Sequence, residues 1–197
     1  MAAELVTREA ILKVALRQFA DQGYAATSVQ DIVDAAKVTK PTLYYYFKNK
    51  AALYQALVDR ANEERQRVIE EGIKRGRSLE EKLVEIMAGL FEFLNKNREL
   101  VRLAFAAAFA APKEFPAEVD CRTKSRCNFE LIHSLMKEEL ARGAFDPAFD
   151  SRELAFGFYG SMNLYLMARL TMPDCKLDRK TAVRIVQLFL RGASKTK

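Results

Sequence analysis

Apolar residues recur three and four positions apart along almost the whole chain, and that period fits helices rather than strands. Ile11, Leu12, Ala15, Leu16 and Phe19 make one stripe, and Val29, Ile32, Val33 and Ala36 make a second. Leu79, Leu83, Ile86, Met87, Leu90 and Leu94 line a longer third. Only 8 glycines and 5 prolines interrupt 197 residues, and half of the residues are hydrophobic. A chain of this length can therefore bury a sizeable core without disulfides or metal staples. The expectation is an all-α fold of about nine helices.

Local chemistry marks where those helices begin and end. Thr7 is placed to cap the first, Glu9 suits its positive end, and Gly23 suits the position just past its close. The run "TSVQ" reads as a capping box of Thr27 and Gln30. Thr39 caps a short helix carrying Pro41 in its first turn, where a missing N–H costs little. Asn49 opens a longer helix to about Lys74. Ser78 with Glu81 forms a second capping box after the joint "GIKRGR". Asn97 opens a helix through Leu100 and Phe105, and Gly143 ends one through Phe129 and Met136. Asp150 and Asp178 cap the last two, which run to about Leu170 and Gly192.

The formal net charge is +6, which permits an acidic partner without demanding one. Three cysteines, Cys121, Cys127 and Cys175, are too few and too odd in number for a disulfide framework and fit a reducing cytoplasm. Acids in "MAAELVTREA" argue against a secretory leader, and no apolar run approaches the roughly 18 residues of a membrane span. The expectation is a cytoplasmic protein with no membrane partner.

One stretch stands apart. "VTKPTLYYYFKNK" holds three tyrosines and a phenylalanine among lysines. From Ala35 to Val58 there are four lysines and no acid, whereas residues 1–60 as a whole hold 8 Lys/Arg against 6 Asp/Glu. The basic signal is local. Two short helices joined by a tight turn at Ala35 to Val38 make a helix-turn-helix pattern. Ile32, Val33, Val38, Leu43 and Phe47 can then face inward, leaving Thr39, Lys40, Thr42, Tyr44, Tyr45 and Tyr46 near or on the outside. Hydroxyls of threonine and tyrosine can bond phosphate, threonine methyls can meet a thymine methyl, and Lys50 at a helix start suits a phosphate.

"GYAATSVQDIVDAAKVTKPTLYYYFKNKAAL" resembles the DNA-binding region of TetR-family transcriptional regulators, densely over about Thr7 to Leu57. The resemblance implies a DNA-binding domain over residues 1–50 and a helical ligand-binding and dimerisation domain over 51–197. It implies a homodimer that reads a palindromic operator in double-stranded DNA and is released by a small-molecule inducer, most often as a repressor. Gln30, Thr39, Lys40, Pro41, Thr42 and Tyr44 fall where the family tends to place base or near-base contacts. Ser28, Tyr45, Tyr46 and Lys50 fall at its phosphate contacts. The family often has glycine in the turn where this chain has Lys37, and a left-handed lysine there costs on the order of 1 kcal/mol.

Beyond residue 60 the residues themselves say less. Met87, Phe91, Phe105, Phe109, Phe129, Met136, Phe158, Tyr159, Met162 and Tyr165 are bulky and mostly apolar, and either fill a core or line a pocket for an apolar or aromatic inducer. Helices 151–170 and 178–192 are apolar on more than one side, which predicts a two-fold interface, with Gly157 and Gly160 allowing close approach. His133 is the only histidine, so no metal site is expected, and Cys121 and Cys127 leave a redox role open beside Arg122, Lys124 and Arg126. No glycine-rich phosphate loop or nucleophile elbow supports an enzyme, and no cofactor is implied. The rival reading is a helical protein- or lipid-interaction module that uses the aromatic segment without specific DNA binding.

Overall fold

A computed structural model describes residues 2–193 except 112, 113, 117, 121, 122 and 173. Cys121, Arg122 and the expected stops at Pro112 and Pro173 therefore lie outside the described residues. Among those described, the regular structure is nine helices: α1 (Ala2–Ala26), α2 (Val29–Ala36), α3 (Lys40–Tyr46), α4 (Lys50–Arg75), α5 (Leu79–Lys96), α6 (Arg98–Phe109), α7 (Thr123–Ala141), α8 (Ser151–Thr171) and α9 (Arg179–Ala193). None of them is long and apolar enough to cross a membrane.

The chain forms two compact units. The first takes residues 1–62 and 99–123, the second residues 63–98 and 124–197, and α4 contributes to both. In the first unit Ile11, Leu12, Ala15 and Phe19 of α1, Ile32 and Val33 of α2, Leu43, Phe47, and Leu53, Tyr54, Leu57 and Val58 of α4 share one core. Leu103 and Ala107 of α6 complete it, with Phe115 and Val119 packed against its side. The Phe115 ring stacks on Tyr54 at 4.9 Å between centroids. In the second unit α5 packs on α9 and α8, and α8 on α9. Leu83, Ile86, Met87 and Leu90 of α5, Phe158 and Met162 of α8, and Ile185 and Val186 of α9 are buried there.

Two helix starts depart from the sequence expectation. Helix α1 begins at Ala2, so Thr7 lies inside it, because Ala2, Ala3, Glu4 and Leu5 are themselves good helix formers. Gly23 does break α1, at φ 82°, and a last short turn follows over residues 24–26. The cap of α2 is Ser28, not Thr27. Thr27 is buried and its hydroxyl donates to the Gly23 carbonyl at 2.8 Å. Ser28 Oγ accepts from Asp31 N at 3.1 Å while Ser28 N donates to Asp31 Oδ2 at 3.0 Å, so the box closes on Asp31 rather than Gln30. Two bonds donated to the Asp31 carboxylate, from Ser28 Oγ at 2.6 Å and from Ser28 N at 3.0 Å, hold it below the usual aspartate range.

Asn97 closes α5, its Nδ2 donating to the Phe93 carbonyl at 3.1 Å, and four caps stand where the sequence puts them. Thr39 Oγ1 accepts from Thr42 N at 3.3 Å, Ser78 Oγ from Glu81 N at 3.2 Å, Asp150 Oδ1 from Arg152 N at 2.7 Å and Asp178 Oδ1 from Thr181 N at 2.8 Å. The turn after α2 is made by Lys37 in the left-handed region, φ 53° and ψ 42°, and its N–H closes on the carbonyls of Asp34 and Val33. Replacing Lys37 by glycine removes the Cβ clash of that conformation. Lys37→Gly is expected to raise the unfolding free energy by about 1 kcal/mol at unchanged denaturant slope. An unchanged or lower midpoint in urea would contradict a left-handed residue at this turn.

Candidate nucleic-acid interface

Helix α3 has seven residues and buries one of them, Leu43, with Phe47 sealing its end. A helix this short is held by its neighbours rather than by its own hydrogen bonds. Leu43 is fully buried against the shared core, and Phe47 is nearly so, with the Arg8 guanidinium 5.2 Å over its ring. Each such burial is worth about 1.5–3 kcal/mol. Tyr46 also packs, partly buried, against that core, while Lys40, Pro41, Tyr44 and Tyr45 are exposed.

On that outer side the sequence-predicted contacts come together. Thr39, Lys40, Pro41, Tyr44 and Tyr45 are exposed, and Thr42 and Tyr46 are half-buried. Tyr45 is 73% exposed, an unusual state for a tyrosine without a partner surface. Its ring stands edge-on to Tyr46 at 5.0 Å. The hydroxyls of Thr39 and Thr42 share a hydrogen bond of 2.8 Å, which fixes both at the start of α3. Gln30 is exposed on α2 and donates to Asp34 Oδ1 at 2.7 Å, and Ser28 is exposed beside it. The surface thus offers threonine methyls, tyrosine hydroxyls and a lysine from two adjoining helices.

Lys50 behaves differently from the other lysines. Its Nζ donates to the carbonyls of Tyr24 and Thr27, both at 2.8 Å, and lies 4.3 Å over the Tyr24 ring. Burial pushes its pKa down. These contacts tie the start of α4 to the segment between α1 and α2, so Lys50 braces the loop that carries Ser28. Nothing in the spacing of residue types announces this, because the partners are backbone carbonyls more than twenty positions away.

The residues expected for a ligand pocket do not form one set. Met87, Phe91, Met136, Phe158 and Met162 are fully buried in the second unit, with Phe129 and Tyr159 nearer its surface. Phe105 and Phe109 belong to the first unit, where their rings lie parallel at 6.4 Å and Phe109 is 74% exposed. Tyr165 instead lines a recess with Asp174, Cys175, Lys176 and Arg184. A second recess of about 330 Å³ between α4 and α5 is walled by ion-paired side chains such as Arg67, Glu71, Glu92 and Lys96. His133 is engaged rather than free, with Nδ1 3.2 Å from Glu130 Oε2 and Nε2 3.1 Å from Ser151 Oγ. Cys127 is exposed.

Comparison with known proteins follows the same line. Residues 11–57 match the family model described as bacterial regulatory proteins, tetR family. The HTH-type transcriptional regulator YdgC of Bacillus subtilis (strain 168) is 23% identical over 169 residues, 72% of this chain and 85% of that protein. The HTH-type transcriptional repressor ComR of Escherichia coli (strain K12) is 45% identical over 53 residues, 27% of this chain and 25% of the repressor. In fold, the TetR family transcriptional regulator PfmR from Thermus thermophilus superposes with a TM-score of 0.75 at 19% identity, over 94% of this chain and 96% of that one.

The geometry separates two lysines that look equivalent in the sequence. Lys50→Met removes two charge-assisted bonds, partly screened by solvent, and is expected to lower the unfolding free energy by about 1.5 kcal/mol. Lys40→Met, on the open face, should stay within about 0.5 kcal/mol of the parent. Urea denaturation of the two variants checks this, and equal midpoints would contradict the bracing role.

Proposed function

Because this chain belongs to the TetR family of bacterial transcriptional regulators, we propose that it binds a palindromic operator as a homodimer, represses from it, and is released by a small apolar or aromatic inducer. Residues 1–50 act as the DNA reader and 51–197 as the ligand-binding and dimerisation part. The observation that carries the reading is the outer face of α3, where Thr39, Lys40, Thr42, Tyr44 and Tyr45 stand together over a buried Leu43. Gln30, Thr39, Lys40, Pro41, Thr42 and Tyr44 lie at or near base edges and Ser28, Tyr45 and Tyr46 at phosphates, while Lys50 braces the loop that carries Ser28. In a major groove such a face offers hydrogen bonds to bases and phosphates and methyl contacts to thymine.

Dimerisation through α8 and α9 is supported by what those helices leave uncovered. Phe156, Leu164 and Met167 on α8 and Leu188 on α9 are exposed, at 59%, 65%, 38% and 72%. An apolar surface of this kind is the usual mark of a protein partner. A Cβ on Gly160 would meet nothing within 4 Å, so close approach there is open to a second chain. Gly157 is used within the chain, since a Cβ there would stand 3.3 Å from the Phe189 ring. A two-fold pair of these helices would set the two readers a turn of DNA apart or a multiple of it. The inducer then acts by preferring the state that does not match successive grooves.

Selection of duplexes from a random library tests the reading. The parent is expected to enrich an inverted repeat, with affinity falling steeply as salt rises, and Thr42→Ala with Tyr44→Ala to enrich none. If neither protein enriches a sequence at low salt, DNA reading by α3 is wrong.

A further inference from the structure

Helix α4 carries one arginine whose surroundings differ from those of its neighbours. Arg67 bonds Glu64 and Glu71, and Arg75 bonds Glu71. Elsewhere in the same unit Arg142 pairs with Glu139 and Arg179 with Glu85. Arg65 pairs with no carboxylate among the described residues. Its Nη2 donates to the amide oxygen of Asn163 at 2.6 Å, and its Cζ lies 4.8 Å from the centre of the Tyr159 ring. Its Nε is buried without a hydrogen-bond partner.

That arrangement is costly as it stands. A guanidinium stays protonated in proteins, and desolvation is the main influence on this one, pushing its pKa down. A buried donor left unmade costs about 1–3 kcal/mol, and a half-buried cation without a counter-charge adds to that. The group that offsets both is an anion that can take two parallel N–H bonds from one guanidinium, which is the geometry of a carboxylate.

Beside the cation lies an apolar surface. Tyr159 stands edge-on to Phe129 at 5.5 Å, Phe129 lies 4.7 Å from Phe156, and His133 stacks on Phe129 at 6.1 Å. The Tyr159 hydroxyl is only weakly engaged, 3.5 Å from the Ser125 carbonyl. Arg152 also lies 5.7 Å over the Phe129 ring but faces Glu130 at 4.0 Å, so Arg65 is the cation left to match a molecule with one negative end and an apolar body. It disfavours cations, and a lone guanidinium is a poor match for a polyphosphate.

We propose that Arg65 anchors the carboxylate of a small organic acid whose apolar body lies on Phe129 and Tyr159. Asn163 positions the guanidinium, and Tyr159 lends its ring face to the cation. This deepens, and rests on, the reading of residues 51–197 as the ligand-binding part, by naming the inducer's class as a monocarboxylate.

The test is calorimetric titration of the full chain with benzoate, phenylacetate and decanoate, each paired with its neutral amide. At least one acid is expected to bind about tenfold or more tightly than its amide, the size of one or two charge-assisted bonds. Arg65→Met should abolish that preference while keeping helix content and amide affinity. If the methionine variant does not fold, Arg65→Lys is read instead and should shrink the preference, because a point charge lacks the planar fork. Equal affinity for every acid and amide, absence of binding by any acid, or an unchanged preference in the variant would each overturn the proposal. Adding the same compounds to the complex with a selected duplex separates this from the regulator reading. A duplex released only by neutral compounds sinks the carboxylate and leaves the regulator. Failure to select any duplex sinks the regulator, and the calorimetry still decides Arg65.

Discussion

Two side chains hold the helix-turn-helix together. Helix α3 is too short to persist alone, and Leu43 and Phe47 are what fasten it to α1, α2 and α4. Once they are buried, the 3.6-residue period leaves Thr39, Lys40, Tyr44 and Tyr45 on the other side with nowhere to go but outward. The exposed aromatic and basic face is therefore a consequence of where the core is, not a separate feature of the surface. The left-handed Lys37 and the cap at Thr39 set the angle at which α3 leaves the turn. The Lys50 brace fixes the neighbouring loop in the same frame.

The second unit follows a different economy of charge. Several of its ionic groups close on one another, as Lys82 and Arg142 do on the buried Glu139, and such pairs fix register more than they stabilise. Arg65 departs from that pattern, and it sits against the aromatic residues of α7 and α8 rather than among acids. Phe156, Leu164 and Met167 of α8 and Leu188 of α9 stay exposed on the same unit.

Much of this was legible in the sequence because it is local. Caps at Thr39, Ser78, Asp150 and Asp178 depend on a side chain and an amide two or three residues on, and the periodic stripes name Leu43 and Phe47 as core. The cap of α2 was displaced by one because "TSVQD" offers two boxes, and only the burial of Thr27 chooses between them. What could not be read is long-range. Phe115 and Val119 join a core made mostly of residues 11–58, and Phe105 and Phe109 fall in a different unit from Met87 and Phe158. Arg65 lies in "NEERQRVIEE", which reads as an ordinary solvated face. Neither composition nor period distinguishes it from Arg67.

The central claim is that the outer face of α3, and no other surface, meets the duplex. Hydrogen exchange of the full chain, with and without its selected duplex, tests this most directly. The account predicts new protection confined to residues 28–30 and 39–46 and the loop braced by Lys50, with the amides beneath Leu43 and Phe47 slow in both states. Protection that appears on α8 and α9 while residues 39–46 exchange as before would contradict it.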